Sequence, residues 1–229
     1  MICNRRIAGS CAAVVISAAA LGLFGPSAAA EEPWQPLGHA DREGVTLERR
    51  TVPGSKFYEY RAQALTSAPP EAVLHGIWSG VTEQIPAAIK QRKVLSAGAA
   101  EILFYDQLKT PVVSDRDYTL RIWWKRHEDS GAIEVPFGTV NHLGPPPAPG
   151  YVRIPTIRGD WIITSEPVTP KSATAPAQKL TKITYLCYSE PGGSIPAFMA
   201  RGAQQDEVLF DIHRILARAK DQAQQSSAH

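Results

Sequence analysis

The sequence is short of cysteine, of any charge imbalance, and of every spacing that marks a catalytic or metal centre. Its three cysteines are Cys3, Cys11 and Cys187. The first two fall in an N-terminal stretch that reads as a removable leader, so the mature chain keeps one thiol and can form no intramolecular disulfide. An exported chain of this kind must hold together by its core alone. The 24 basic residues fall to 22 once Arg5 and Arg6 are set aside (24 − 2 = 22), equal to the 22 acidic ones. A net charge near zero argues against nucleic acid or a strongly anionic surface as the main partner. No pair of histidines has metal-ligand spacing, and no G-x-S-x-G surrounds a serine. His39, His75, His127, His142 and His213 are dispersed and read as surface or structural residues. No catalytic, metal or cofactor site is expected, and no internal repeat is visible.

The leader is residues 1–30. Arg5 and Arg6 precede an apolar run ending at Phe24, and Ala28-Ala29-Ala30 offers a small-residue cleavage site before Glu31. The run is too short, and too broken by Ser10, Ser17 and glycines, for a membrane anchor. The expected destination is the periplasm or the exterior, and the mature chain, 31–229, has the length of one domain.

What is present is strand-rich, with helix at two places. Val45–Val52 and Phe57–Thr66 read as a hairpin across Pro53-Gly54-Ser55, with Tyr58, Tyr60, Ala62 and Ala64 on one face of the second strand. Trp34 is expected to pack the N-terminal segment against the body. Residues 67–89 predict two short helices, with Ser67 as a cap and Val73, Leu74, Ile77 and Trp78 as an apolar stripe. Strands follow at 93–97 and 100–109, then an apolar loop at Pro111-Val112-Val113. The clearest strand is 115–128, where Tyr118, Leu120, Ile122 and Trp124 oppose Asp117, Thr119, Arg121, Lys125 and His127. Further strands are predicted at 131–142 and 151–165, the latter broken near Gly159. A stiff proline-rich connection joins them, and a solvent loop spans 166–177. The chain ends in a strand at 178–190, a Pro191-Gly192-Gly193 break and one long helix capped by Ser194, with Pro196 in its first turn. About 25 residues of helix span roughly 38 Å, enough to cross a sheet. Ile195, Phe198, Met199, Val208, Leu209, Ile212, Ile215, Leu216 and Ala219 form its apolar side. Arg201, Gln204, Glu207, Asp211, Arg214 and Arg218 take the other, and the tail after Asp221 reads as frayed.

Four segments stand together in order: Val52-Pro53-Gly54-Ser55, Val113-Ser114-Asp115-Arg116-Asp117-Tyr118, Gly150-Tyr151-Val152-Arg153 and Pro191-Gly192-Gly193-Ser194-Ile195-Pro196. In this the chain resembles, over about residues 34–220, the START (steroidogenic acute regulatory protein-related lipid transfer) domain, and in particular its exported bacterial members. The resemblance implies an α+β helix-grip fold: a curved antiparallel β-sheet wrapped on a long C-terminal α-helix, enclosing a hydrophobic tunnel for one lipid or sterol-like molecule. It departs from the family at two places. Ile85 stands where many members carry Trp. An Arg six residues beyond the Arg of the Arg-Asp motif, paired in many members with an acid on the preceding strand, is replaced by Ile122; Arg121 lies one residue earlier, on the opposite face of a strand.

The ligand-binding residues expected from this reading are Phe104, Asp106, Val112, Val113, Tyr118, Leu120, Ile122, Phe198 and Met199. Asp106 shares a strand face with Ile102 and Phe104. If that face is inward, its carboxylate pairs with another Arg, meets a ligand hydroxyl, or sits at a wet rim. Arg116-Asp117 reads first as a pair that fixes the start of its strand, and second as a polar anchor at the cavity mouth. Cys187 reads as a small apolar filler. The loop at 107–114 is the expected gate against the final helix, with Phe198 and Met199 closing the other side. The expected partners are a lipid or other hydrophobic small molecule and, transiently, a membrane surface, the chain acting as a monomer. Two rival readings are a polyketide cyclase-like enzyme using Asp106, Tyr118 and Arg121, and an envelope interaction module whose interior is filled by its own side chains.

Overall fold

The computed structural model describes residues 32–83, 85–111, 113–168 and 178–227. The leader expected over 1–30, Val112, and the loop segment 169–177 lie outside the described residues. In chain order the elements are β1 (Gln35–Pro36), β2 (Thr46–Thr51), β3 (Tyr58–Thr66), α1 (Pro70–Thr82), β4 (Ile89–Ala97), β5 (Glu101–Leu108) and β6 (Arg116–Trp123). They continue with β7 (Lys125–Arg126), β8 (Ile133–Thr139), β9 (Val152–Arg153), β10 (Thr156–Val168), β11 (Gln178–Glu190) and α2 (Ala197–Ser227). One sheet runs β1-β2-β3-β11-β10-β8-β6-β5-β4. Its pairings are antiparallel except for β9, which lies parallel to the start of β6. This is the helix-grip architecture: a curved, open antiparallel sheet closed by a long C-terminal helix.

Strand alternation sets the inner face. Register aligns Ala62, Tyr185, Trp161 and Val135 across β3, β11, β10 and β8. All four are buried, and the Tyr185 and Trp161 rings stack at 3.8 Å. Parallel to that row, Tyr60, Cys187, Gly159 and Phe137 lie side by side. At the N-terminal edge, Arg50 and Arg61 lie over the Trp34 ring at 4.6 and 4.5 Å, so this residue does tie its segment to the sheet.

The helices pack on each other closely because α1 presents glycine. A Cβ at Gly76 would stand 3.2 Å from Arg218 Cβ and 3.5 Å from the Ala219 nitrogen of α2. Ile212, Ile215, Leu216 and Ala219 of α2 are buried there, beside Val73 and Ile77 of α1.

Three local expectations need correction. The 67–89 segment holds one helix, started by Pro70 without a side-chain cap; residues 85–88 are irregular and turn, and β4 begins at Ile89. α2 starts at Ala197, with the Pro196 carbonyl accepting from Met199 and Ala200, and continues past Asp221 to Ser227. Gly159 breaks nothing: β10 runs through it, paired with Cys187 and Phe137. It is glycine because a Cβ there would lie 2.1 Å from the Leu186 carbonyl oxygen and 2.3 Å from the Phe137 ring. We therefore expect Gly159→Ala to cost about 1–3 kcal/mol in urea unfolding, the usual range for overpacking. Gly98→Ala, where the nearest atom is 3.6 Å away, should leave the midpoint almost unchanged.

Candidate functional site

Between the sheet and α2 lies a cavity of about 360 Å³. A second hollow of about 130 Å³ shares Pro86, Arg92, Leu120, Phe137, Tyr185, Asp211 and Arg214 with it, so the two adjoin. Together they occupy the space where a filled interior was the rival expectation. Leu108, Leu120, Phe137, Ile154 and Ile157 give the wall an apolar surface. Ala88, Ala203 and Glu207 are the exposed members of the lining, so the cavity opens between α2 and the connection from α1 to β4.

Three cross-strand neighbours make the floor. Arg92 of β4 faces Asp106 of β5, which faces Tyr118 of β6. Arg92 Nε and Nη2 donate to the two Asp106 oxygens at 2.7 and 2.5 Å, Arg92 Nη1 donates to the Val81 carbonyl at 3.0 Å, and Tyr118 Oη donates to Asp106 Oδ2 at 2.8 Å. The guanidinium also lies 4.2 Å from the Phe104 ring centre. Burial disfavours the Arg92 cation, but the hydrogen bonds and charge of Asp106 outweigh that and hold its pKa above the ordinary value. Desolvation, with the Asp106 charge beside it, keeps the Tyr118 phenol well above its usual range.

The helix brings a second polar set. Gln204, Glu207, Asp211 and Arg214 all line the cavity. Arg214 Nη2 donates to Asp211 Oδ1 at 2.6 Å, and Tyr185 Oη donates to Asp211 Oδ2 at 3.1 Å. Gln204 Nε2 donates to the Ser189 carbonyl and hydroxyl at 2.7 and 2.8 Å. Glu207 stands at the mouth of the cavity, partly open to solvent; desolvation of its carboxyl on the cavity side, reinforced by the Asp211 charge, pushes it up to about 7. The Cys187 thiol, also on the wall, is pushed by burial up to about 12, which leaves it a filler and no nucleophile.

The Arg116-Asp117 pair divides its duties. Asp117, fully buried, accepts from Arg153 Nε and Nη2 at 2.7 and 3.1 Å, Tyr105 Oη at 2.9 Å and the Ala148 nitrogen at 2.8 Å. It pins the proline-rich connection to the start of β6. Arg116 turns to the other face, lines the cavity, and donates to the carbonyls of Ser114, Pro191 and Gly192.

Of the expected ligand contacts, Tyr118 and Leu120 line the larger hollow, and Phe104, Leu120 and Ile122 the smaller. Val113 lines neither, and Val112 lies outside the described residues. Asp106 is fully enclosed behind Arg92 and Tyr118, the pairing alternative of the three weighed for it. Phe198 and Met199 are corrected: they are 75% and 43% exposed, because the inward stripe of α2 runs through Ala200, Ala203, Gln204 and Glu207 and leaves 198 and 199 on its flank. Arg121 pairs with Glu101 on the outer face, so Asp106, Tyr118 and Arg121 do not converge. Sequence reasoning missed Arg92 and named Gln204, Glu207, Asp211 and Arg214 only as the side of α2 opposite its apolar face, not as cavity lining. Their spacing was the available signal, since a polar row at helical period can face a wet cavity as well as bulk water. Among the described residues no group of three His, Cys, Asp or Glu could hold a metal ion.

This fold is that of the START domains. A STAR-related lipid transfer protein from Xanthomonas axonopodis superposes with a TM-score of 0.64 at 24% identity, over 82% of this chain and 98% of its own. Human STARD10 gives 0.62 at 17% identity, over 86% and 76%. In sequence the chain is 26% identical to an uncharacterized protein of Pseudomonas aeruginosa over 213 residues, 90% of this chain and 95% of that protein. No protein-family model matches the chain.

Two outcomes test the electrostatics. Asp106→Ala strands the buried Arg92 cation and should cost about 3–5 kcal/mol in chemical unfolding, whereas Glu101→Ala, which breaks the exposed pair with Arg121, should cost less than about 1 kcal/mol. Glu207 keeps its proton in the folded protein to about pH 7, while the unfolded chain gives it up at the ordinary lower value. Its contribution is therefore present in acid and lost as pH rises toward 7. Relative to the native protein, Glu207→Gln should gain stability between about pH 4 and about pH 8, seen as a rising difference in urea midpoints.

Proposed function

We propose that the protein binds one hydrophobic small molecule, a lipid or sterol-like compound, in the cavity under α2 and carries it through the cell envelope. The observation that carries this reading is the hollow itself: an apolar-walled space of about 360 Å³ kept open inside a fold that has sheet and helix enough to fill it. That volume equals roughly a dozen waters and falls at the small end of ligand sites. It suits a single chain or a fused-ring molecule better than a two-chain phospholipid. Each methylene moved from water into such a site gains about 0.8 kcal/mol, so affinity needs few polar contacts. The START fold supports the reading, as does the lipid transfer role that the names of its structural neighbours state. The leader read in residues 1–30 supports export.

Entry and exit are assigned to the side where Ala88, Ala203 and Glu207 lie, by movement against α2 of the segment after β5, where Lys109 bonds to the Ala88 carbonyl and Thr110 lines the cavity. Phe198 and Met199, exposed at the start of α2, suit transient contact with a membrane surface. No helix among the described residues is long and apolar enough to cross a membrane.

Native mass spectrometry of protein purified from cells should show one bound small molecule, released by organic solvent. Ala203→Trp, which fills the cavity from α2, should abolish that adduct without lowering the melting temperature by more than a few degrees. A protein that stays empty and refuses fluorescent fatty acid, sterol and oxygenated steroid alike would sink the proposal.

A further inference from the structure

The polar groups around the cavity fall into two sets that differ in one respect. On the sheet they are paired within the protein: Arg92 and Tyr118 with Asp106, Tyr60 with the Arg201 carbonyl, Tyr185 with Asp211. On α2 they are not. Gln204 Oε1 and Arg214 Nε and Nη1 are buried with no protein partner, and Glu207 makes no hydrogen bond among the described residues. One other buried lining atom lacks a partner, Thr110 Oγ1 in the loop between β5 and β6. Buried polar atoms are paired in the great majority of cases, so a run of exceptions along one wall of a cavity asks for an occupant that completes them. From Gln204 to Arg214 the helix rises about 15 Å, so the open positions are strung out along the cavity and not gathered at one end.

We propose that the ligand is polar along one edge: hydroxyl or carbonyl groups spaced down its length meet Gln204, Glu207 and Arg214, while its opposite edge is hydrocarbon against Leu120, Phe137 and Ile157. An oxygenated fused-ring compound has that distribution; a fatty acid or a simple sterol, with its polarity at one end, does not. The inference rests on the carrier reading and narrows its ligand class. Arg214 donates twice, Gln204 accepts, and the Glu207 carboxyl accepts or, when protonated, donates, so the wall suits oxygen functions that both give and take hydrogen bonds. Asp211 neutralises Arg214, and no net positive charge remains on this wall to select an anion.

The test compares ligands in which hydrophobicity and the proposed pattern pull in opposite directions. Cortisol and progesterone share a skeleton, and cortisol carries more oxygen along it; stearic acid is the head-and-tail control. Isothermal titration of the full mature chain should give cortisol at least about tenfold the affinity of progesterone, although cortisol is the more water-soluble. Arg214→Met and Glu207→Leu should each bring the ratio of cortisol to progesterone affinity down to about one. Glu207→Leu removes a carboxyl with no hydrogen-bond partner and so keeps the fold, a point a melting curve checks. Progesterone or stearic acid binding as tightly as cortisol, or a preference that survives both variants, overturns the inference and leaves the carrier reading standing. Refusal of all three ligands overturns both.

Discussion

A cation and an anion held away from water, Arg92 against Asp106, are what the rest of the interior has to accommodate. Two charges cannot be buried among Phe104, Leu120 and Ile122 unless each satisfies the other, and here each also has a neutral partner, Val81 for the guanidinium and Tyr118 for the carboxylate. The geometry demands that β4, β5 and β6 keep their register at this level, since a slip of one residue would turn one member outward. A strand edge fixed in this way cannot fold inward to fill the hollow beside it. The pair therefore stands as a strut at one side of the cavity, opposite the weight of the aromatic row at Tyr185 and Trp161.

Much of this could be read locally, and the parts that could not share a cause. β3, β6 and β11 announce themselves by alternation of two, and α2 by its period and the Gly192-Gly193 break, where both residues take positive φ. Such signals are short-range and survived folding unchanged. Arg92 was illegible because its strand, IKQRKVLSA, carries charge on both faces and is bulged between Ile89 and Gln91 and again between Val94 and Ser96. Counting residues in twos loses the face there. Gly159 misled for a different reason: its constraint is the Phe137 ring, more than twenty residues away in the chain and adjacent only in the sheet. The polar side of α2 is legible as a row from its helical period. What a periodic pattern does not contain is whether the water-like surroundings lie outside the molecule or within it.

The two walls of the cavity also differ in origin. The sheet wall comes from residues that alternate apolar because one face of every strand must be buried, so its composition follows from the fold. The row at Gln204, Glu207, Asp211 and Arg214 does not follow from the fold in the same way: Gln204 and Asp211 bond to the sheet, but a helix lying on a sheet can also be held by aliphatic residues, and polar ones there bear a desolvation cost. Polar groups kept where packing alone would replace them are the part of the molecule most directly concerned with what it binds.

One feature of α2 bears on how it is held. Toward its end it sits backbone-close on Gly76 of α1, through Ile215 and Ala219. Toward its start it is fastened by hydrogen bonds: Tyr60 to the Arg201 carbonyl, Arg201 to the Lys56 carbonyl, Gln204 to Ser189. Van der Waals contact of the first kind has no substitute in water, while every bond of the second kind can be exchanged for one to solvent. The helix is thus anchored like a diving board, rigid at one end and only latched at the other, and the latched end is the one over the cavity.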